Sequence, residues 1–178
     1  GELRTTGGAE PIAVVNPCTE QVLWEQPACA AADVEEALAH ARVAQREWQK
    51  VHGWERGRIL RAIAAEMRRR TDDIARALSL EIGRPMAQSA GEVGAAIEQC
   101  EWFAGEAERL FGDTLPSRQG GRLVTEYEPV GIVAAFTAWN FPVNLPIRKI
   151  APALAAGCAI IVRPSEQVAM TSTLLAEA

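Results

Sequence analysis

The sequence predicts an α/β chain: a run of amphipathic helices followed by the opening of a parallel sheet. Three observations carry that expectation. Apolar residues recur at helical spacing through most of residues 33–111. Two almost wholly apolar runs, 131–138 and 159–162, lack the alternation of a half-exposed strand. Between them lies a helical segment ended by Gly157, giving the order strand, helix, strand that a parallel pair requires.

Taken in order, the first thirty or so residues carry prolines at 11, 17 and 27 and an apolar run at 12–15, which reads as irregular chain with one or two edge strands. From Asp33 the pattern turns helical through Val34, Ala37, Leu38, Ala41, Ala44, Gln45 and Trp48, and Asp33 with Glu36 forms a capping-box-like start. Residues 56–70 repeat the period through Ile59, Leu60, Ile63, Ala64 and Met67. Thr71 then offers an N-cap for a third helix over 72–82, which Gly83 and Pro85 end. A fourth helix over 88–111 aligns Val93, Ala96, Ile97, Cys100, Phe103, Ala104, Ala107 and Leu110 on one face, with Gly112 as its stop.

Gly, Asp, Pro and Ser mark 112–121 as a loop, and 122–128 mixes β-branched and aromatic residues with charge, as an exposed antiparallel strand does. The 131–138 run is expected to be a strand buried on both faces. A helix over 144–156, the stop at Gly157, a second apolar strand at 159–162 and a Ser/Thr-capped helix start at 171–173 complete the pattern. Two parallel strands do not cover both faces of a sheet, so this second unit is expected to be incomplete at its C-terminus and to continue or to rest on further material.

Composition narrows the function. With 48% hydrophobic residues the chain is expected to be globular rather than disordered. A net charge of −5 offers no basic stripe, which argues against nucleic acid as a partner. The apolar stretches are broken before membrane-spanning length. Cys18, Cys29, Cys100 and Cys158 lie far apart, without a CxxC pair or a nearby histidine, so no metal site is expected and reduced thiols in the cytoplasm fit best.

The stretch from Glu128-Pro129-Val130-Gly131 through Thr137-Ala138-Trp139-Asn140-Phe141-Pro142 resembles the strand and turn that aldehyde dehydrogenases place between cofactor and substrate. Lys149-Ile150-Ala151-Pro152 through Gly157, and Val162-Arg163-Pro164-Ser165-Glu166-Gln167, resemble the next two blocks of that family in the same order. Asn16-Pro17, the Trp48 helix and Glu81-Ile82-Gly83-Arg84-Pro85 fit its N-terminal pattern, so the resemblance covers essentially the whole chain.

The resemblance implies the N-terminal portion of an NAD(P)-dependent enzyme that oxidises a small-molecule aldehyde to a carboxylic acid through a cysteine thiohemiacetal and thioester. Residues 1–121 would be the helical part of a Rossmann-like cofactor-binding domain, 122–130 a strand of the region through which such enzymes form dimers or tetramers, and 131–178 the first strand-helix-strand of the parallel sheet. Asn140 matches the asparagine that holds the oxyanion; read from the residues alone, it is equally a helix cap or an Asx-turn before Pro142. The backbone of Phe136, Thr137, Ala138 and Trp139 would lie against the cofactor, with Ala138 standing where proline is more usual.

Arg163, Ser165 and Glu166 lie just beyond the second strand, where α/β folds bind dinucleotides. The Glu166 carboxylate suits ribose hydroxyls and disfavours a 2′-phosphate, favouring NAD, whereas Arg163, where the family usually has lysine, suits a phosphate and keeps NADP open. Phe141 would line the aldehyde channel. Arg148 would face the carboxylate of a semialdehyde such as succinate semialdehyde, although a solvated helix face explains it too. Cys158 enters a buried strand, and the resemblance places the nucleophile, the general-base glutamate and the catalytic domain beyond residue 178, so this chain by itself is expected to be inactive. Two other readings stand beside this one: a non-catalytic interaction module, and an acylating, coenzyme A-dependent relative.

Overall fold

The computed structural model describes residues 9–118 and 120–178; the expectation of irregular chain at the N-terminus falls, for residues 1–8, outside the described residues. Four helices form the first layer: α1 (Ala31–Trp48), α2 (Gly53–Arg69), α3 (Thr71–Ile82) and α4 (Met86–Glu106). Their apolar stripes meet in one core in which Leu60, Met67, Ile74, Leu78 and Val93 are fully buried. The same core takes Val143, Ile147, Ala151 and Leu175 from the second layer, so the two layers share one interior.

The helix ends differ from the sequence reading in instructive ways. α1 begins at Ala31, and Asp33 is not its N-cap; the Ala30 N–H donates to the Asp33 carboxylate at 2.7 Å, so Asp33 reaches back from the third helical position. Thr71 does not cap α3 through its hydroxyl, which donates instead to the carbonyls of Met67 (3.2 Å) and Arg68 (2.9 Å) and closes the end of α2. α4 stops at Glu106, five residues short of Phe111, and leaves Leu110 and Phe111 exposed. Gly112 is therefore not its stop. A Cβ at Gly112 would strike the Thr125 carbonyl, and the glycine lets the chain pass that close as it enters the next hairpin.

Two antiparallel hairpins flank the layers. β1 (Ala9–Val15) pairs with β2 (Val22–Ala28), and their turn is built by Asn16, whose Oδ1 accepts from the N–H groups of Cys18 (2.8 Å) and Thr19 (3.2 Å). β3 (Thr114–Pro116) pairs with β4 (Arg122–Val124), every residue of both strands being exposed. The strand expected over 122–128 is thus paired over three residues. The ladder closes at Thr125, whose N–H donates to the Asp113 carbonyl at 2.9 Å, because the partner segment turns away toward α4 beyond that point.

The second layer has the predicted order. β5 (Ile132–Phe136) and β6 (Ala159–Arg163) pair in parallel, from Ile132 opposite Ala159 to Phe136 opposite Arg163, and α5 (Asn144–Ala155) joins them. Gly157 ends α5 in the left-handed region at φ 82°, where a side chain would be strained and would also press on Arg56 and Pro129. The strands are not buried on both faces: Ala134 and Phe136 are exposed and β6 is half-buried along most of its length, since α1 and α5 are what packs against it. α6 (Ala169–Ala176) starts two residues before the predicted cap at Thr171. A single 3-10 turn, Glu166–Val168, leads into it, and Ser165 Oγ caps that turn by accepting from the Gln167 N–H at 3.4 Å.

The first layer holds α5 and α6 at both ends. Glu92 of α4 accepts the leading N–H groups of α5, from Val143 at 2.9 Å and Asn144 at 3.1 Å. Trp48 Nε1 and Arg56 Nε donate to its final carbonyls, at Leu154 (3.1 Å) and Ala155 (3.0 Å). Glu81 of α3 accepts the leading N–H groups of α6, from Met170 at 2.8 Å and Thr171 at 3.0 Å, and Arg70 donates to its Leu174 carbonyl at 3.2 Å. Acid at each N-terminus and donors at each C-terminus match the orphan backbone groups and the helix dipole. Gln45 completes the frame: its amide donates to the Gly157 carbonyl and accepts from the Ala159 N–H, fixing where β6 begins.

Candidate active site

Parallel pairing brings the carboxyl ends of β5 and β6 side by side, so that Phe136 and Arg163 are register partners and the Thr137 N–H donates to the Arg163 carbonyl at 3.1 Å. The segments that follow, 137–142 and 164–168, therefore leave the sheet at one edge, the place where α/β sheets take ligands. Thr137 and Ser165 are buried there, while Phe136, Ala138, Trp139, Arg163 and Glu166 are exposed.

Arg163 and Glu166 form an ion pair at 2.9 Å. The Glu166 carboxyl is held below the usual carboxylate range by its own backbone N–H and by the Arg163 guanidinium. Both side chains are too open to solvent for the pair to stabilise the fold much. Gln26 of β2 ties down the same loop, donating to the Glu166 carbonyl at 3.0 Å. A cavity of about 460 Å3 opens beside it, bounded by Trp139 and Glu166 on one side and by Val14, Pro17 and Ile82 on the other. The first hairpin therefore forms a wall of this region, which the sequence reading did not anticipate.

Asn140 lies in the turn between β5 and α5 and is exposed; its side-chain amide makes no hydrogen bond among the described residues. It neither caps α5 nor closes an Asx-turn, since Glu92 takes the leading N–H groups of that helix. Arg84, in the link between α3 and α4, holds the backbone instead: one guanidinium nitrogen donates to the Asn140 carbonyl, another pairs with Glu92, and the group lies 4.8 Å from the centre of the Phe141 ring. Arg148 follows Asn144 by one turn on the same face of α5, exposed and without a hydrogen bond or ion pair among the described residues.

The structure thus gathers Phe136, Thr137, Arg163, Ser165 and Glu166 at one sheet edge, places Trp139 and Glu166 on one cavity, and sets Asn140 and Phe141 on the adjoining turn. Glu81, Arg84 and Glu92 were missed. Their signal was present: Glu92 falls with Ser89, Val93 and Ala96 on the buried stripe of α4, and Glu81 with Ile74 and Leu78 on that of α3. A charge on an apolar stripe is the informative kind of exception.

The thiols divide by depth. Cys18 and Cys29 are exposed, whereas Cys100 and Cys158 are buried. Burial pushes the Cys100 thiol up to about 11, and its Sγ donates to the Leu60 carbonyl at 3.3 Å. Among the described residues no group of His, Cys, Asp or Glu side chains is arranged to hold a metal ion, and no helix is long and apolar enough to cross a membrane.

The sequence model of the aldehyde dehydrogenase family matches residues 4–178. The chain is 40% identical to a 3-sulfolactaldehyde dehydrogenase of Pseudomonas putida over 167 residues, which are 93% of this chain and 34% of that protein. It is 38% identical to the succinate-semialdehyde dehydrogenase (NADP+) of Escherichia coli K12 over 178 residues, covering 99% of this chain and 37% of the relative. A crystal structure of an E. coli NADP-dependent enzyme superposes with a TM-score of 0.94 at 38% identity, over 97% of this chain and 36% of the other. The chain therefore spans about a third of the length of the relatives it matches. With the fold, the sheet edge and a family match over nearly every residue in agreement, the chain belongs to the aldehyde dehydrogenase family.

Proposed function

We propose that this chain is the N-terminal, cofactor-facing portion of an NAD(P)-dependent enzyme that oxidises an aldehyde to a carboxylic acid. One observation carries the reading: the exposed Asn140 amide, without a hydrogen bond among the described residues, stands on the turn next to the sheet edge that bears Arg163, Ser165 and Glu166. A carboxylate, a guanidinium and a hydroxyl at the ends of parallel strands fit the ribose hydroxyls and phosphates of a dinucleotide. When bound, the nicotinamide group accepts the hydride. This chain's own part is to hold the adenosine half through Arg163, Ser165 and Glu166, to lay the backbone of 136–139 along the cofactor, and to donate the Asn140 N–H to the oxyanion formed when a thiolate attacks the aldehyde. A neutral amide does this without titrating.

The thiolate and the general base belong, in this reading, to residues after 178, because Cys100 and Cys158 are buried and Cys18 and Cys29 lie on the first hairpin and its exit. The substrate is an aldehyde with a distal anionic group. Arg148 has no anionic partner among the described residues, and the names of the relatives, 3-sulfolactaldehyde and succinate-semialdehyde dehydrogenase, both denote acid-bearing aldehydes. NADP as well as NAD is accepted, since Arg163 offsets the Glu166 charge that would repel a 2′-phosphate. A cytoplasmic location is consistent with the free thiols, and the exposed β3–β4 hairpin supports assembly into a homo-oligomer.

The test is the intact mass of the protein in its source cells, with an NAD(P)-coupled assay of that species on succinate semialdehyde and short neutral aldehydes. Aldehyde-dependent NAD(P)H formation that falls roughly 10²- to 10³-fold in Asn140→Ala upholds the proposal. A native species of 19.2 kDa that turns over no aldehyde overturns it and favours the interaction module.

A further inference from the structure

We propose that Arg84 and Glu92 are positioning residues for Asn140: their ion pair grips the turn before α5 by its backbone and so keeps the Asn140 amide free. The inference rests on the reading of Asn140 as the oxyanion donor. Four positions of one turn are held by two side chains. Arg84 donates to the Asn140 carbonyl and lies 4.8 Å from the Phe141 ring, and Glu92 accepts the N–H groups of Val143 (2.9 Å) and Asn144 (3.1 Å). Neither is hydrogen-bonded to the Asn140 side chain.

The arrangement is costly for a plain helix cap. Glu92 is 5% exposed, and a buried carboxylate is tolerated only because Arg84 pairs with it and two amides donate to it. A short polar residue at the N-cap would serve the helix more simply, and the local side chains of that kind are Asn140 and Asn144. Among the described residues Asn144 Oδ1 is buried without a partner and the Asn140 side chain makes no hydrogen bond, so neither caps the helix. Drawing the cap from α4 satisfies the helix while the turn stays rigid and its amide idle. Glu81 does not do this at α6: it bonds residues 170 and 171 and leaves 163–166 to other partners.

The test uses the whole protein with Arg84→Lys, which keeps the charge but loses the planar fork that reaches Glu92 and Asn140 together. The kcat for aldehyde should fall roughly 10- to 100-fold while the dinucleotide KM stays within about twofold, and Arg84→Lys added to Asn140→Ala should cost nothing further. Hydrogen exchange across 140–145 should quicken in Arg84→Lys and in Glu92→Gln, with residues 96–104 of α4 unchanged as a control for global loosening. Full multiplicative losses in the double variant, or unchanged exchange over 140–145, would overturn the proposal. If the unmodified protein oxidises no aldehyde, the dehydrogenase reading fails separately, and the exchange experiment still decides whether the pair holds the turn.

Discussion

The turns before α5 and α6 are built alike and charged differently. Each follows a parallel strand, and each leads into a helix whose N-terminus is capped by a glutamate from the helical layer, Glu92 for α5 and Glu81 for α6. Glu92 is neutralised by Arg84, whereas Glu81 has no ion-pair partner among the described residues and relies on the Thr171 hydroxyl and two backbone N–H groups. The Trp24 indole N–H approaches the Glu81 carboxyl but closes no hydrogen bond. Burial outweighs those donors and pushes the Glu81 carboxyl up from its usual range. The same structural task is thus met once by a charge pair and once by hydrogen bonds to a carboxyl that ionises reluctantly.

Truncating the two caps should separate these solutions most strongly. Glu92→Ala strands the partly buried Arg84 and frees two N–H groups, and should destabilise the fold by roughly 3–5 kcal/mol. Glu81→Ala strands no charge and should cost roughly 1–3 kcal/mol. Denaturant unfolding of both variants measures the gap, and equal losses would mean that Arg84 contributes nothing beyond the cap itself.

Next in size are two effects at the chemistry beside each turn. Arg148→Ala, on α5, should raise the KM for succinate semialdehyde roughly 10- to 100-fold and leave a neutral aldehyde of similar length nearly unaffected, as expected for loss of a charged hydrogen bond. Arg163→Ala, before α6, should lower kcat/KM with NADP roughly tenfold relative to NAD, because Glu166 then faces a 2′-phosphate without its counter-charge. Steady-state kinetics with paired substrates and paired cofactors checks both. A uniform loss across either pair would show that the arginine shapes the loop and does not read the ligand.

How much of this was legible in the sequence follows the same division. The helices, the strand-helix-strand order and the stops at Gly83 and Gly157 were readable because period and backbone conformation are local properties. The end of α4 was not, because Leu110 continues the apolar period although the helix ends at Glu106, and the sequence does not show the close passage of Gly112 by Thr125 that follows. Burial of β5 on both faces was over-read, since an apolar run reports what a strand tolerates and the covering must come from elsewhere. Among the candidate site residues, those beside recognisable turns could be named from the sequence. Arg84, Glu81 and Glu92 hold backbone 51 to 90 residues away in sequence, and no local pattern names those partners.

The smallest expected effect is the sharpest test of the contrast between the caps. The folded Glu81 carboxyl sits above the ordinary value of 4.5. The folded state therefore binds that proton more tightly than the unfolded chain, and the stability Glu81 contributes is full below about pH 4.5 and is lost as pH rises through its higher folded value. Glu81→Gln removes the titration. The difference in melting temperature between wild type and variant should move in the variant's favour as pH climbs from 4.5 toward neutrality. Other carboxylates, such as Glu55 and Glu66 that neighbouring arginines hold low, shift both proteins together and cancel in the difference. A difference that stays flat across that window would mean that the hydrogen bonds from Thr171 and Met170 balance the cost of burial. The two caps would then be electrostatically equivalent despite their unequal partners.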